Sequence, residues 1–212
     1  MKILKSKKVI TCSPVHSITR IPSEKNGERI ATMSRNERNV GWKLETLGAV
    51  TCYKSQPFTC EFEMDGKTRR YTPDFEVHFK DIAKPLVIEV KPAKFLEDLY
   101  LQNKLKIVAR DLPKLGYNFM IMTDGQIPSQ TEYSNFRFLY HHRSRLPSED
   151  VIKEVLYLVQ QGVNRAWMLD DYIQRYDNEQ SSVYAMIAHG YLFADISQPI
   201  DYQTLVSITE GG

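Results

Sequence analysis

Asp74 opens the run RRYTPDFEVHF (69–79), and Glu89 and Lys91 stand two apart in PLVIEVKPAK (85–94). Successive strand residues alternate faces, so Glu89 and Lys91 share one face while Ile88 and Val90 take the other. In the first run Asp74, Glu76 and His78 share a face, opposite Phe75, Val77 and Phe79. Pairing the runs as a hairpin with Phe79 opposite Leu86 sets Asp74 opposite Lys91 and Glu89 on the diagonal. Cross-strand neighbours lie about 4.5–5.5 Å apart at Cβ, and diagonals about 7–8 Å. Two carboxylates and an ammonium on rigid strands suit metal-assisted phosphodiester hydrolysis. Magnesium takes oxygen ligands and keeps waters, so one or two carboxylates suffice. The metal activates water and neutralises charge building on the phosphoryl oxygens. A placed lysine orients the nucleophile or stabilises the same charge. A half-exposed sheet face would carry the same residues, with Asp74 and Lys91 as a surface ion pair worth only tenths of a kcal/mol. The pattern alone leaves both readings open.

The elements that must position these residues follow from periodicity and turn chemistry. Residues 1–30 lack clear periodicity and read as an extended basic arm, partly strand at KKVITC. Ser34 to Leu47 reads as a helix, with Val40, Leu44 and Leu47 on one stripe and Trp42 to the side. AVTCYKSQ reads as a strand. FTCEFEMDGKTRRYT reads as a hairpin turning at Asp65-Gly66. DFEVHF and PLVIEVK are strands joined by the loop KDIAK. A helix over 96–112, the strand YNFMIMT and a helix over 131–145 follow. Pro147 and Ser148 then mark a boundary. Beyond it, helices near 149–161, 165–175 and 181–189 precede the strand GYLFADI, with Trp167, Leu169 and Tyr172 as core residues. The expected organisation is a mixed α/β domain over 1–145 and a small, mostly helical, winged-helix-like domain over 146–212.

Of the 212 residues, 42% are apolar and 25% charged, the balance of a soluble globular protein. No apolar run approaches the roughly 20 residues that span a bilayer. No long apolar stretch follows the basic start, so a signal peptide is not expected. Cys12, Cys52 and Cys60 show no CxxC spacing, which disfavours a disulfide framework or zinc site and fits reduced thiols in a cytosol. The net charge of +2 hides an asymmetry: residues 146–212 hold three cations against ten carboxylates. The basic first part can meet phosphate, and the acidic second part suits protein partners.

YTPDF followed by IEVK has the form of the PD-(D/E)xK nuclease signature. SRNERNVGWKLETLGAVTCYKSQPF, DGKTRRYTPDFEVHF and VIEVKPAKFLED, taken together, resemble the TnsA family, the endonuclease subunit of heteromeric DNA transposases. The likeness covers residues 30 to 125 and extends loosely to IAHGYLFADI. It implies a restriction-endonuclease-like mixed β-sheet core flanked by helices, with a winged-helix-like second domain. It implies cleavage of the 5′ strand at transposon ends, with Mg2+ or Mn2+, beside a DDE transposase subunit and an AAA+ regulator. It also implies a bacterial cytoplasmic protein that joins the nucleoid during transposition, with no membrane partner. The family's catalytic residues fall on Glu37, Asp74, Glu89 and Lys91, with Glu37, Asp74 and Glu89 toward the metal. Some members carry Gln at the position of Glu89.

Glu37 also has a local reading, because Ser34-Arg35-Asn36-Glu37 matches a helix capping box in which Glu37 reaches back to the Ser34 amide. Its spacing to Gln56-Pro57-Phe58 suits the family, whereas its context, MSRNE, departs from the usual ESxLE. Glu45 is the competing helical carboxylate. Gln56 is either a neighbour of the site or a plain strand residue, and His78 reads as surface. Lys67, Arg69, Arg70, Lys94, Arg143 and Arg145 are the candidate DNA contacts. Two alternatives share these features: a stand-alone restriction or repair nuclease of the same fold, and a non-catalytic DNA- or protein-binding subunit.

Overall fold

The computed structural model describes residues 1–4, 18–177 and 180–208. The strand expected at 7–12 lies outside the described residues. The chain divides into two compact units, Met1–Pro128 and Ser129–Gly212. The first holds β1 (Lys2–Leu4), β2 (Thr19–Ser23), β3 (Glu28–Thr32), α1 (Arg35–Thr46), β4 (Val50–Ser55), β5 (Thr59–Met64) and β6 (Lys67–Tyr71). It continues with β7 (Phe75–Phe79), β8 (Ile82–Val90), a 3-10 turn (Ala93–Glu97), α2 (Leu99–Asp111), a second 3-10 turn (Leu112–Leu115) and β9 (Asn118–Met122).

The central sheet runs in the order β4-β7-β8-β9, antiparallel except for the parallel β8–β9 pair. This is the mixed sheet of the expected fold class. Helix α1 covers one face, where Val40 and Leu44 meet Tyr53, Phe75, Val77, Ile88 and Val90. On the other face, Val87 packs with Leu105 and Val108 of α2 and with Cys60, Phe62 and Tyr71 of the β1-β5-β6 sheet. Each fully buried Phe or Ile of these layers stabilises the fold by about 1.5–3 kcal/mol. The β5–β6 hairpin turns at Asp65-Gly66, both with positive φ (54° and 67°), as a two-residue type I′ turn requires.

The β7–β8 register differs from the expected one. Phe75 pairs with Ile88, Glu76 with Val87 and Val77 with Leu86. A bulge between Val77 and Phe79 brings Phe79 opposite Ile82 across a tight turn at Lys80-Asp81, so β8 takes up residues expected in a loop. The pairing is displaced by two residues. Such a slip keeps every side chain on its face and changes only its partners. Asp74, one residue before the Phe75–Ile88 pair, therefore comes level with Glu89 rather than Lys91.

Other expectations also change. Thr19–Ser23 and Glu28–Thr32, read as part of an extended arm, form a hairpin with Ile21 and Ile30 buried. On α1, Trp42 is buried and Leu47, the C-cap residue, is exposed. The helix expected from 96 starts at Leu99, because Asp98 caps it by accepting from the N–H groups of Tyr100 and Leu101.

The second unit holds α3 (Gln130–His142), α4 (Glu149–Gln160), α5 (Ala166–Tyr176), α6 (Val183–Ala188) and the antiparallel pair β10 (Leu192–Ala194) and β11 (Val206–Ile208). The compact units part at Pro128–Ser129, whereas the sequence places a boundary at 145–146. The reason lies in α3. Leu139 enters the second unit's core, and the Asn135 side chain binds the Ile196 and Gln198 carbonyls and the Ile200 N–H. Ser129 and Glu132 close a complete capping box at the start of α3, while the Asn39 amide holds the Pro128 carbonyl in the first unit at 2.8 Å. Leu169 is fully buried and Tyr172 packs against the core, but Trp167 is exposed. Among the described residues, no helix is long and apolar enough to cross a membrane.

Glu45 has a structural task. Buried on α1, it accepts the Ser23 hydroxyl at 2.6 Å and the Glu24 N–H at 2.9 Å, tying the β2–β3 turn to the helix. Glu45→Ala strands these donors and is expected to cost about 1–3 kcal/mol in chemical unfolding. Its effect on divalent-cation binding should be negligible, which calorimetric titration checks.

Candidate active site

Three strand ends and one helix start bring the charged residues together. Asp74 lies in the short link between β6 and β7, and its Oδ2 accepts the Val90 N–H at 2.7 Å. The Asp74 carbonyl in turn accepts the Gln56 N–H at 2.9 Å. Gln56 adopts a left-handed φ of 45°, unusual outside glycine, just after β4. Gln56 thus holds the Asp74 backbone, and its side-chain amide meets the Met33 sulfur. Lys91 continues the parallel β8–β9 ladder through its N–H to the Met122 carbonyl at 3.0 Å. Its ammonium lies 3.2 Å from Glu89 Oε1. The other Glu89 oxygen accepts the Tyr71 hydroxyl at 2.9 Å. The Glu89 side chain is only 7% exposed and that of Lys91 33%, so one is sunk in the sheet while the other reaches solvent.

Glu37 enters from the start of α1. Ser34 caps the helix by accepting the Glu37 N–H at 3.1 Å. The reciprocal half differs from the expected capping box, since Glu37 Oε2 accepts the Met33 N–H at 2.9 Å rather than that of Ser34. Asp74 and Glu37 therefore each have one oxygen fixed by a backbone N–H, whereas both Glu89 oxygens are engaged, by Tyr71 and Lys91. Among the described residues, the second oxygens of Asp74 and Glu37 carry no protein hydrogen bond.

The electrostatics follow from this crowding. Burial, and then the neighbouring Glu89 and Glu37, push Asp74 up from 3.8 to about 8, against the opposing pull of the Val90 N–H and Lys91. Burial alone would lower the Lys91 ammonium, but Glu89, Asp74 and Glu37 outweigh it and hold the group above 10.5. The three carboxylates thus share a field that one lysine does not neutralise. Asp74 feels Glu37, while Glu45 is occupied at the β2–β3 turn.

The donor set fits a hard divalent cation. It offers only oxygens, and its like charges repel unless a cation or proton separates them. Among the described residues, no group of three or more His, Cys, Asp and Glu is placed to hold a metal ion together. An open two-carboxylate set is nevertheless sufficient for magnesium, which retains waters and takes substrate oxygens.

The remaining expected site residues sort by location. Glu76 pairs with His78 at 2.9 Å, away from the carboxylate cluster. Lys67, Arg69 and Arg70 lie on β6. Arg70 pairs with Glu61 at 2.9 Å, and the Arg69 guanidinium sits 5.7 Å from the Tyr100 ring centre. Lys94 follows Lys91 closely, with its ammonium 5.1 Å from the Phe95 ring centre. Arg143 and Arg145 belong to the second unit, where Arg143 stacks on Tyr140. Tyr71 was missed, although it stands within the YTPDF stretch. An alternating pattern marks it only as a core aromatic, and nothing in the sequence tells that its hydroxyl meets Glu89.

Residues 48–124 match the family model described as TnsA-like endonuclease N terminal. The match includes Asp74, Glu89 and Lys91 and stops short of Glu37. It supports assignment to the TnsA family and indicates a nuclease of the transposase class, a family whose general substrate is DNA. None of the curated proteins matches the chain.

The Asp74 shift has a testable sign. A carboxyl whose folded pKa is raised binds its proton more tightly folded than unfolded. Its stabilising effect is complete below 3.8 and is lost as pH rises through about 8. In the presence of a chelator, the wild-type melting temperature should fall as pH rises from 5 to 8. Asp74→Asn keeps an acceptor for the Val90 N–H and removes the charge, so its melting temperature should fall less over that range.

Proposed function

We propose that this chain, with its TnsA-like endonuclease domain, is a metal-dependent DNA endonuclease subunit of a transposase that hydrolyses the 5′ strand at transposon ends. The observation that carries this reading is the crowding of Asp74, Glu89 and Lys91 at one sheet end, with Glu37 in electrostatic reach. A structural ion pair accounts for Lys91 and Glu89. It gives no reason to bury Asp74 beside a second carboxylate at a cost in protonation energy.

Asp74 and Glu89 would hold Mg2+ or Mn2+, and Glu37 would complete the set. The bound cation would supply an activated water and charge neutralisation at the phosphoryl group. Lys91, kept protonated by the three carboxylates, places a fixed positive charge where the transition state gains negative charge. The Val90 N–H and the Gln56 N–H hold Asp74 in place without loop rearrangement. Lys67, Arg69, Arg70 and Lys94 of the first unit face phosphate in this reading, and Arg143 and Arg145 are the candidate phosphate contacts of the second unit taken by itself. A DDE transposase subunit would cut the opposite strand and an AAA+ regulator would license the reaction. The acidic second unit offers a surface for such protein partners.

Strand-specific cleavage of DNA bearing the element's ends tests this, with magnesium and the cognate transposase and regulator. Wild type should cut the 5′ strand only with its partners present. Asp74→Ala should abolish the cut, and Lys91→Ala should slow it by about 10²–10³-fold. Glu37→Gln keeps the Met33 hydrogen bond and should still lose activity, whereas Glu45→Gln should retain it. Cleavage by the isolated chain would identify a stand-alone nuclease. Identical products from wild type and Asp74→Ala would remove this chain as the cutter.

A further inference from the structure

Tyr71 ends β6, in a sheet separate from the one that carries Glu89 and Lys91. Its ring is 3% exposed and packs among Val87, Leu105 and Val108. Only its hydroxyl leaves this apolar setting, and it donates to Glu89 Oε2 at 2.9 Å. Lys91 takes the other oxygen, Oε1, at 3.2 Å. The carboxylate is thus held from two sides by groups on two different sheets. The Lys104 ammonium lies 5.5 Å from the centre of the Tyr71 ring and fixes the ring from α2. Burial, and then the Glu89 charge, hold the phenol well above its ordinary 10, so it remains a donor throughout the neutral range.

A glutamate has three side-chain torsions, and left unheld it would lose that freedom only on binding. Donors that fix a ligating carboxylate in advance remove this cost, and their loss commonly weakens metal binding by about 10–100-fold. We infer that Tyr71 is a positioning residue, whose hydroxyl fixes the Glu89 carboxylate so that Oε1 is presented to a divalent cation beside Lys91. This rests on the metal-dependent reading above and adds to it a residue outside the PD-(D/E)xK signature.

The test titrates Mn2+ into the full-length chain and reads both the melting temperature and calorimetric binding. Wild type, Tyr71→Phe, Glu89→Gln and the double variant are compared. Tyr71→Phe keeps the ring, its packing and the Lys104 contact, so it should fold, with a metal-free melting temperature lowered by no more than the loss of one buried hydrogen bond. Its Mn2+ midpoint should rise about 10–100-fold. In the Glu89→Gln background the same change should add nothing, because the group it positions is gone. Tyr71→Met fills the volume without a donor and should show the same shift if Tyr71→Phe folds poorly. An unchanged midpoint in a folded Tyr71 variant would reduce the hydrogen bond to a structural one and overturn the inference. So would an equal shift with and without Glu89. A wild-type chain that binds no Mn2+ at all would instead overturn the nuclease reading, and the Tyr71 inference with it.

Discussion

The contact between the Asp74 carboxylate and the Val90 N–H governs the geometry of the first unit's charged end. It bonds a side chain in the β6–β7 link to the backbone at the end of β8, and so fixes Asp74 at the height of Glu89. Two carboxylates at that separation repel, and burial strengthens the repulsion. The fold accepts this because the sheet around it is held independently. Phe75, Val77, Ile88 and Val90 are packed against α1, and Val87 against α2. A frame over-determined on both faces can keep an unfavourable charge arrangement in place.

The site also shows how polar groups of unlike purpose are separated on one helix. Glu37 and Glu45 both lie on α1, and both accept backbone N–H groups. Glu45 spends both oxygens on the β2–β3 turn, whereas Glu37 spends one on the Met33 N–H, and its charge is felt at Asp74. On this helix the carboxylate with both oxygens engaged by backbone and hydroxyl donors ties a turn, and the other keeps one oxygen without a protein donor.

Much of this was legible in the residues. Alternation along DFEVHF and VIEVK assigns Asp74, Glu89 and Lys91 to one face, and that assignment survives because the observed register differs by an even number of residues. The partners were not legible, because the bulge between Val77 and Phe79 has no signature in a sequence without glycine or proline at that point. The β2–β3 hairpin was overlooked although Asn26-Gly27 is a turn dipeptide, since only Ile21 and Ile30 mark its apolar face. Spacing to Gln56-Pro57-Phe58 favours Glu37 over Glu45, but the task of Glu45 is invisible in the sequence, because it depends on which turn packs over the helix. Tyr71 illustrates the same limit: a hydroxyl's partner belongs to the tertiary fold, and a pattern of apolar positions carries no information about it.

The joint between the two units is finished on both sides. The Asn39 amide secures the last carbonyl of the first, and the Ser129–Glu132 pair starts α3 with its own cap. Among the described residues, each of these bonds is made within its own unit. A unit closed in this way carries its whole TnsA-like endonuclease segment within its own borders, so the stretch of chain that follows can vary in sequence without a new terminus having to be built for the sheet.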